Sequence, residues 1–298
     1  MTAAQYGHVL KANQNLFDYN YLYGGNPDLE PEIAKTRTIG LVLQPRFLPR
    51  FNATVDWWDI QLEGAIEEIG PDSIMGTCLA TGDPTFCNRI HRDPNGSLWL
   101  GGGHIDDSQA NIGALKVRGI DIGTDYSQHL GRFGSADFDF HGSYVLHWIV
   151  DNGGLSEPYD CTGLYGDPCF NPVPRWKHTA RVTWTSPIGT TVSLGWRYTG
   201  AMKLAALDPK FGISRFVTPL EHKIPAASFF DLTTAFTVQK RYELRLGVNN
   251  IFDREPPRIL GNTPGASGPL NGNTYPGWYD WLGRYIFASF TMNLPSPL

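Results

Sequence analysis

Four cysteines are the residues of this chain whose spacing points most directly to chemistry. They form two local pairs, Cys78 with Cys87 and Cys161 with Cys169, and neither pair has the C-x2-C spacing of a zinc or thioredoxin-like site. Each pair could close a short loop as a disulfide, which implies an oxidising compartment. Four unrelated free thiols are the alternative. The spacing favours two loop-closing disulfides over a redox site.

Paired carboxylates that could carry out acid–base catalysis do not converge in this sequence. Asp56 and Asp59 are three positions apart in a predicted strand, so their side chains point to opposite faces. Glu67 and Glu68 are expected in a solvated loop. We therefore predict no catalytic residues and no enzymatic activity.

A metal or phosphate site finds little support in the sequence. His104, Asp106 and Asp107 could ligate a metal ion, but they lie in a glycine-rich loop without a partner at metal-ligand spacing. The glycines at 101–103 do not introduce a helix, so a phosphate cradle is not expected there. The sequence therefore predicts no metal and no cofactor.

Composition excludes several classes of protein. The 298 residues carry a net charge of −5, and no block of Lys and Arg supplies the basic face that nucleic-acid binding needs. No stretch reaches the roughly 18–20 consecutive apolar residues of a membrane helix. Residues 1–16 lack a basic region followed by an apolar core, so no signal peptide is predicted.

Alternation of apolar and polar residues with a period of two is the strongest pattern in the chain. Between Ala136 and Val150 the even positions are mainly apolar, whereas the odd positions begin with Asp137 and Asp139. The same pattern recurs at 176–184, 192–198, 230–238 and 242–248, and further strands are predicted near 35–45, 51–62, 115–127 and 283–294. This is about nine strands, most of them longer than the usual five or six residues.

The lengths of the connections between these strands alternate. Short links at 45–50, 129–134, 186–189 and 239–240 alternate with long links at about 64–113, 150–174, 200–227 and 252–281. Tight turns at one end and long loops at the other are typical of an antiparallel transmembrane β-barrel. Aromatic residues near strand ends, where membrane proteins place them at the bilayer boundary, agree with this fold: Trp148, Trp176, Trp184, Trp196 and Tyr198. The alternative is a secreted all-β carbohydrate-binding module, whose apolar side chains would be buried between two sheets.

Five short segments carry recognisable motifs in a fixed order. They are 24–32 (GGNPDLEPE), 55–60 (VDWWDI), 118–121 (RGID), 248–253 (VNNIFD, followed by Pro256-Pro257) and 283–287 (GRYIF). In this order they resemble the barrel motifs of TonB-dependent outer-membrane receptors. These motifs are expected to build the barrel rather than to take part in chemistry.

The resemblance implies a barrel of about 22 strands with an internal plug domain, located in the cell outer membrane. Since about nine strands cannot close such a barrel, we expect the C-terminal part of one: a loop remnant at 1–34, barrel at 35–294 and a tail at 295–298. The implied activity is energised uptake of a scarce solute, such as a ferric siderophore, a vitamin or an oligosaccharide. The expected partners are outer-membrane lipid, that ligand, and the TonB complex only through the missing plug, so the fragment alone is not expected to transport.

The long links are expected to form the extracellular loops of this barrel. Asp83-Pro84 and Pro71 are start signals for two short helices, and a Cys78–Cys87 bridge would pin them together. Aromatic residues in the loops could stack on sugars or aromatic chelators: Trp99, Tyr159, Tyr165, Phe211, Tyr275, Trp278 and Trp281. The alternative for these seven residues is that they pack the loops against one another.

Overall fold

The computed structural model describes residues 19–153, 157–166, 168–169, 171–208, 222–239, 241–259 and 274–292. Phe211 and the predicted tail 295–298 lie outside these residues. The chain divides into two compact units. The first comprises Met1–Lys35, Ile60–Lys116 and Ile149–Tyr159, and the second comprises Thr36–Asp59, Val117–Trp148 and Asp160–Leu298.

Strands dominate the described residues. The first eight are β1 (Tyr21–Leu22), β2 (Ile33–Leu43), β3 (Phe51–Glu67), β4 (Ile90–His91), β5 (His104–Asp106), β6 (Ala110–His129), β7 (Ser135–Asp151) and β8 (Tyr159–Asp160). The second eight are β9 (Leu164–Tyr165), β10 (Trp176–Thr185), β11 (Thr190–Thr199), β12 (Met202–Leu204), β13 (Lys223–Ile224), β14 (Ala227–Val238), β15 (Tyr242–Asn249) and β16 (Tyr285–Met292). The helices are α1 (Pro71–Thr81) and α2 (Pro84–Cys87), with 3-10 turns at Gly131–Phe133 and Ala205–Leu207.

Nine long strands form one open sheet, and each pairs with the long strands before and after it in the chain. The order is β2, β3, β6, β7, β10, β11, β14, β15 and β16, and β8 adds to β7. The pairs from β7 to β16 are antiparallel. Since the order does not return to β2, the sheet is not closed, as expected for part of a larger barrel.

Apolar side chains form a continuous row across this sheet. Cross-strand partners connect Phe138, Val182, Leu194, Leu232, Val248 and Ile286. Phe138 is 38% exposed and Ile286 is 71% exposed, so no second sheet within the described ranges covers this row. The buried apolar layer that the carbohydrate-binding alternative requires is therefore missing from this face, and the predicted partial barrel is confirmed.

The alternation of connection lengths is as the sequence predicts. Residues 44–50, 130–134, 186–189 and 239–241 form short links, whereas 68–109, 152–175, 200–226 and 250–284 form long ones. The long links contain both helices and the short strands β4, β5, β8, β9, β12 and β13. No helix in the described ranges has the length and apolar character needed to cross a bilayer.

The loop after β3 has its own small core, pinned by a disulfide. Cys78 in α1 is bonded to Cys87 in α2, and both cysteines pack in a buried apolar cluster with Ile74 and Ile105. Asp83 caps α2 by accepting a hydrogen bond from the backbone N–H of Thr85 at 2.8 Å. Helix α1 extends three residues beyond Cys78. The second predicted bond joins Cys161 to Cys169, and no cysteine is free.

Replacing Cys78 and Cys87 together by serine is expected to lower the free energy of unfolding of this loop by about 2.5 kcal/mol. A bridge closing a short loop restricts the unfolded chain, and the two serines would also be buried in an apolar cluster. Hydrogen exchange of α1 as a function of denaturant measures the change. Mass analysis of non-reduced peptides should first find both bonds. Free thiols in protein from an oxidising compartment would contradict the prediction.

Candidate functional site

The face opposite the apolar row is polar and forms a cavity in the second unit. The cavity has a volume of about 790 Å³. Because alternate residues of a strand point to one face, five neighbouring strands contribute polar side chains to it. The lining includes Thr54, Asp56, Asp121, His141, Ser143, Lys177, Thr179, Arg197, Thr199, Phe229 and the loop residue Trp278. This charged and aromatic cavity is the candidate binding site.

Arg197 in β11 is the electrostatic centre of the cavity. Its guanidinium donates to both carboxylate oxygens of Asp231 in β14, at 2.8 and 3.0 Å. It also donates to both oxygens of Asp280 in the last long link, at 2.9 and 2.5 Å. The guanidinium lies over the Phe229 ring, 5.5 Å from its centroid. Two bidentate pairs use the planar fork of arginine, and they tie a loop to two strands.

The motif residues 248–253 stabilise the structure beside Arg197. Asp231 accepts a further hydrogen bond from the backbone N–H of Asn250 at 2.9 Å. Asn250 has a positive φ of 52°, which asparagine tolerates, and its amide both donates to and accepts from the backbone of Arg254 at 2.9 Å. Asp253 accepts from the backbone N–H of Arg284, just before β16. The motif is thus structural, as expected.

The first motif, in the first unit, also holds backbone together. The Asn26 side chain accepts from the backbone N–H of Asp28 at 2.9 Å, which forms a tight turn. The backbone of Glu30 exchanges two hydrogen bonds with the Asn111 side chain, each 2.8 Å long. Glu32 accepts from the backbone N–H of Ile66 at 2.8 Å. These contacts bind the segment before β2 to β3 and β6.

Lys177 and Trp278 form the second feature of the cavity. The Lys177 ammonium lies 5.3 Å from the centroid of the Trp278 ring, which is a cation–π contact. Trp278 packs against a buried cluster that includes Tyr165 and Tyr279. Burial raises the pKa of Tyr275 to about 12, so this neighbouring phenol stays protonated at neutral pH. The Lys177 ammonium and the Trp278 ring are therefore adjacent, and the ring is held in place by the buried cluster.

The seven predicted loop aromatics occupy different environments. Tyr165 is 1% exposed and Tyr159 is 8% exposed, so neither offers a face to a ligand. Tyr275 and Trp278 are partly buried against the same cluster as Tyr165, and Trp278 lines the cavity. Trp99 and Trp281 are about half exposed, at 55% and 45%, and Phe211 lies outside the described residues. A ligand-contacting role for these aromatics stays a prediction.

The side chains considered for catalysis or metal binding are dispersed. Asp56 lines the cavity, whereas Asp59 is 1% exposed and paired with Arg118 at 2.5 Å. Asp107 is buried and accepts from the backbone N–H of Gly70. In the described part of the chain, no group of three or more His, Cys, Asp or Glu residues could hold a metal ion.

The importance of Arg197 and Lys177 cannot be read from the sequence alone. The alternating pattern does place both residues on the polar face. Their partners Asp280 and Trp278 lie in a long link, 83 residues from Arg197 in the case of Asp280. No local pattern connects residues at that separation.

Asp160 in β8 connects the long link after β7 to the end of β7 by hydrogen bonds. Its carboxylate accepts from the backbone N–H groups of Trp148 and Thr162, both at 3.0 Å, and from the Thr162 hydroxyl at 2.6 Å. His147 Nδ1 lies 2.8 Å from its other oxygen. Burial acts to raise the pKa of Asp160, but these hydrogen bonds outweigh it and lower the pKa to about 2.

Replacing Asp160 by asparagine is expected to destabilise the chain by about 1 kcal/mol at pH 7, since the carboxylate is a third exposed and screened by solvent. The folded pKa is below the unfolded value of about 3.9, so the stabilisation is complete above pH 4 and is lost as the pH falls through about 2. Thermal unfolding at several pH values measures it. A difference between the two proteins that does not change with pH would contradict the prediction.

Comparison with known protein families agrees with the resemblance that the sequence motifs indicate. The family model described as TonB dependent receptor-like, beta-barrel matches residues 2–251. No curated protein sequence matches the chain.

Three of the similar solved structures come from different bacteria. A variant of the ferric enterobactin receptor PfeA from Pseudomonas aeruginosa aligns with a TM-score of 0.57 and 14% identity, over 91% of this chain and 32% of that one. The siderophore receptor PirA from Acinetobacter baumannii gives 0.55 and 12%, over 91% and 33%. The FrpB iron transporter from Neisseria meningitidis gives 0.51 and 12%, over 83% and 31%. The chain therefore spans about a third of the length of these proteins, and at this identity the similarity shows the fold alone.

Proposed function

The chain belongs to the TonB-dependent receptor-like β-barrel family, and on that premise we propose that it forms the C-terminal part of an outer-membrane receptor for a ferric siderophore. Residues 35–294 are then barrel and long loops, preceded by the loop remnant 1–34. The apolar row contacts membrane lipid. Energised transport needs a plug that contacts the TonB complex, and this requirement comes from the family.

The observation that carries this proposal is the cavity of the second unit. The single positive charge of Arg197 faces the two carboxylates of Asp231 and Asp280, whereas no carboxylate of the described residues forms an ion pair with Lys177. An uncompensated ammonium beside an indole ring suits a ligand that is both anionic and aromatic. Ferric catecholate complexes have that character, and neutral sugars lack the charge.

Two carboxylates of the same cavity limit where such a ligand would bind. Asp56 and Asp121 line the cavity from β3 and β6. Lys177 lies on β10, two strands away from β6 and so about 10 Å across the sheet. An anionic ligand is therefore expected at the Lys177 and Trp278 end. The structural similarity to PfeA, a ferric enterobactin receptor, and to PirA, a siderophore receptor, supports this class over a vitamin or an oligosaccharide.

Binding to the full chain, purified in detergent from the outer-membrane fraction, tests the proposal. Tryptophan fluorescence is titrated with a ferric tricatecholate, a ferric hydroxamate, cobalamin and a malto-oligosaccharide. The ferric tricatecholate should bind, and Lys177→Ala and Trp278→Ala should each weaken it about tenfold, or about 1.4 kcal/mol.

Lys203→Ala is the matched control, since Lys203 is an exposed lysine outside this cavity. Its affinity should equal that of the unmodified chain. Binding of cobalamin or the oligosaccharide without either ferric complex would overturn the substrate class. Absence of the chain from the outer-membrane fraction would overturn the location.

A further inference from the structure

Two histidines face each other in the loop after β3, which contains the Cys78–Cys87 disulfide and belongs to the first unit. His91 in β4 and His104 in β5 are direct partners in an antiparallel pair, and their rings stack with centroids 4.8 Å apart. On the other face of the same pair, Ile90 and Ile105 are buried, at 8% and 0% exposure. The two imidazoles therefore stand on the outer face of a small, firmly packed strand pair.

The hydrogen bonding of His104 leaves one ring nitrogen available. His104 Nδ1 lies 2.9 Å from the carbonyl oxygen of Gly102. Because a carbonyl can only accept, Nδ1 carries the proton and the neutral ring has its lone pair on Nε2. A backbone carbonyl that holds the distal nitrogen in this way is the usual second partner of a metal-binding histidine.

The spacing of the rings fits a shared ion. Imidazole nitrogens bind a transition metal at about 2.0–2.1 Å, which places the centroids of two rings on one tetrahedral ion about 5 Å apart. The observed 4.8 Å separates stacked rings, and it shows that the two side chains are close enough to reach one ion. The rings are inclined by 29°, so binding requires them to rotate about their side-chain torsions while the backbone stays in place.

The packing of the surrounding loop holds the two histidine-bearing strands in place. Ile105 packs in the same buried cluster as Cys78 and Cys87, whose bond joins the two helices. A rigid strand pair reduces the entropy lost when a ligand orders the rings. In the sequence, His104 has no second metal ligand at a suitable spacing. The pairing of β4 with β5 places His91 opposite it and so provides the second ligand.

We propose that His91 and His104 form a two-histidine site for a divalent transition-metal ion, namely Cu²⁺, Ni²⁺ or Zn²⁺. Imidazole is a ligand that suits these three ions. Water fills the remaining coordination positions, because no group of three or more candidate ligands occurs in the described part of the chain. Neither histidine lines the cavity, and the site is independent of the proposed siderophore uptake.

Calorimetric titration of the full, tag-free chain in detergent with each metal chloride tests the site. The unmodified chain should bind one ion, and His91→Ala and His104→Ala should each lower the affinity at least about tenfold. His129→Ala is the matched control, since His129 is an exposed histidine at the end of β6, and it should bind like the unmodified chain.

Electron paramagnetic resonance of the bound Cu²⁺ gives a second readout, and its result for the unmodified chain does not depend on the variants' stability. The unmodified chain should show coupling to two imidazole nitrogens, and each alanine variant to one. Affinity that is unchanged in both alanine variants would overturn the site. Copper spectra of the unmodified chain without nitrogen coupling would overturn it equally.

Discussion

Gly134→Ala is expected to lower the free energy of unfolding by about 3 kcal/mol. Gly134 ends the short link between β6 and β7 with φ 92° and ψ −135°. A Cβ atom there would lie 1.9 Å from the carbonyl oxygen of Thr185, at the end of β10. Because that atom is backbone in the neighbouring strand, it cannot move aside without disrupting the ladder.

Gly131→Ala is the matched control for this experiment. Gly131 lies in the same link with φ 59°, but a Cβ atom there would meet no heavy atom within 4 Å. Only the left-handed backbone then costs stability, about 1 kcal/mol. Urea unfolding in detergent, followed by tryptophan fluorescence, compares the two variants. Equal destabilisation would show that the approach to Thr185 does not determine the need for glycine.

Arg197→Ala is expected to destabilise the chain by about 3 kcal/mol, because it leaves two carboxylates without their shared cation. The side chains of Asp231 and Asp280 are 14% and 24% exposed, so water only partly replaces the guanidinium. The last long link would also lose its tie to β11. Limited proteolysis should therefore cut within residues 274–284 faster in the variant, in addition to the loss of stability measured by urea unfolding.

Arg181→Ala is the comparison variant, because Arg181 acts on Asp231 through its charge without forming an ion pair with it. Arg181 lies on the same face of the neighbouring strand β10 and donates to the Ser193 hydroxyl at 2.9 Å. Its removal is expected to cost about 1 kcal/mol, the value of an ordinary hydrogen bond. A loss as large as that of Arg197→Ala, or an unchanged rate of proteolysis at 274–284 in Arg197→Ala, would contradict the assigned role.

Much of the sheet can be predicted from the sequence, but strand ends and short strands cannot. The strand predicted near 115–127 runs from 110 to 129, and the one near 51–62 continues to Glu67. Backbone hydrogen bonds continue the strand beyond the segment in which apolar and polar residues alternate. In that extension the side chains show no period of two, so the sequence does not reveal it. Strands of two or three residues, such as β4 and β5, are too short to show one.

Local sequence predicts the long strands and the alternation of their links, and it favours the two disulfides. Each of these depends on neighbours in the chain, since the faces of a strand alternate residue by residue and each cysteine pair closes a loop of under ten residues. The hydrogen bonds between Arg197 and Asp280 and the pairing of His91 with His104 are seen only in the folded structure. Those contacts join segments whose separation leaves no periodic trace, so they arise only when strand register and loop packing bring the side chains together.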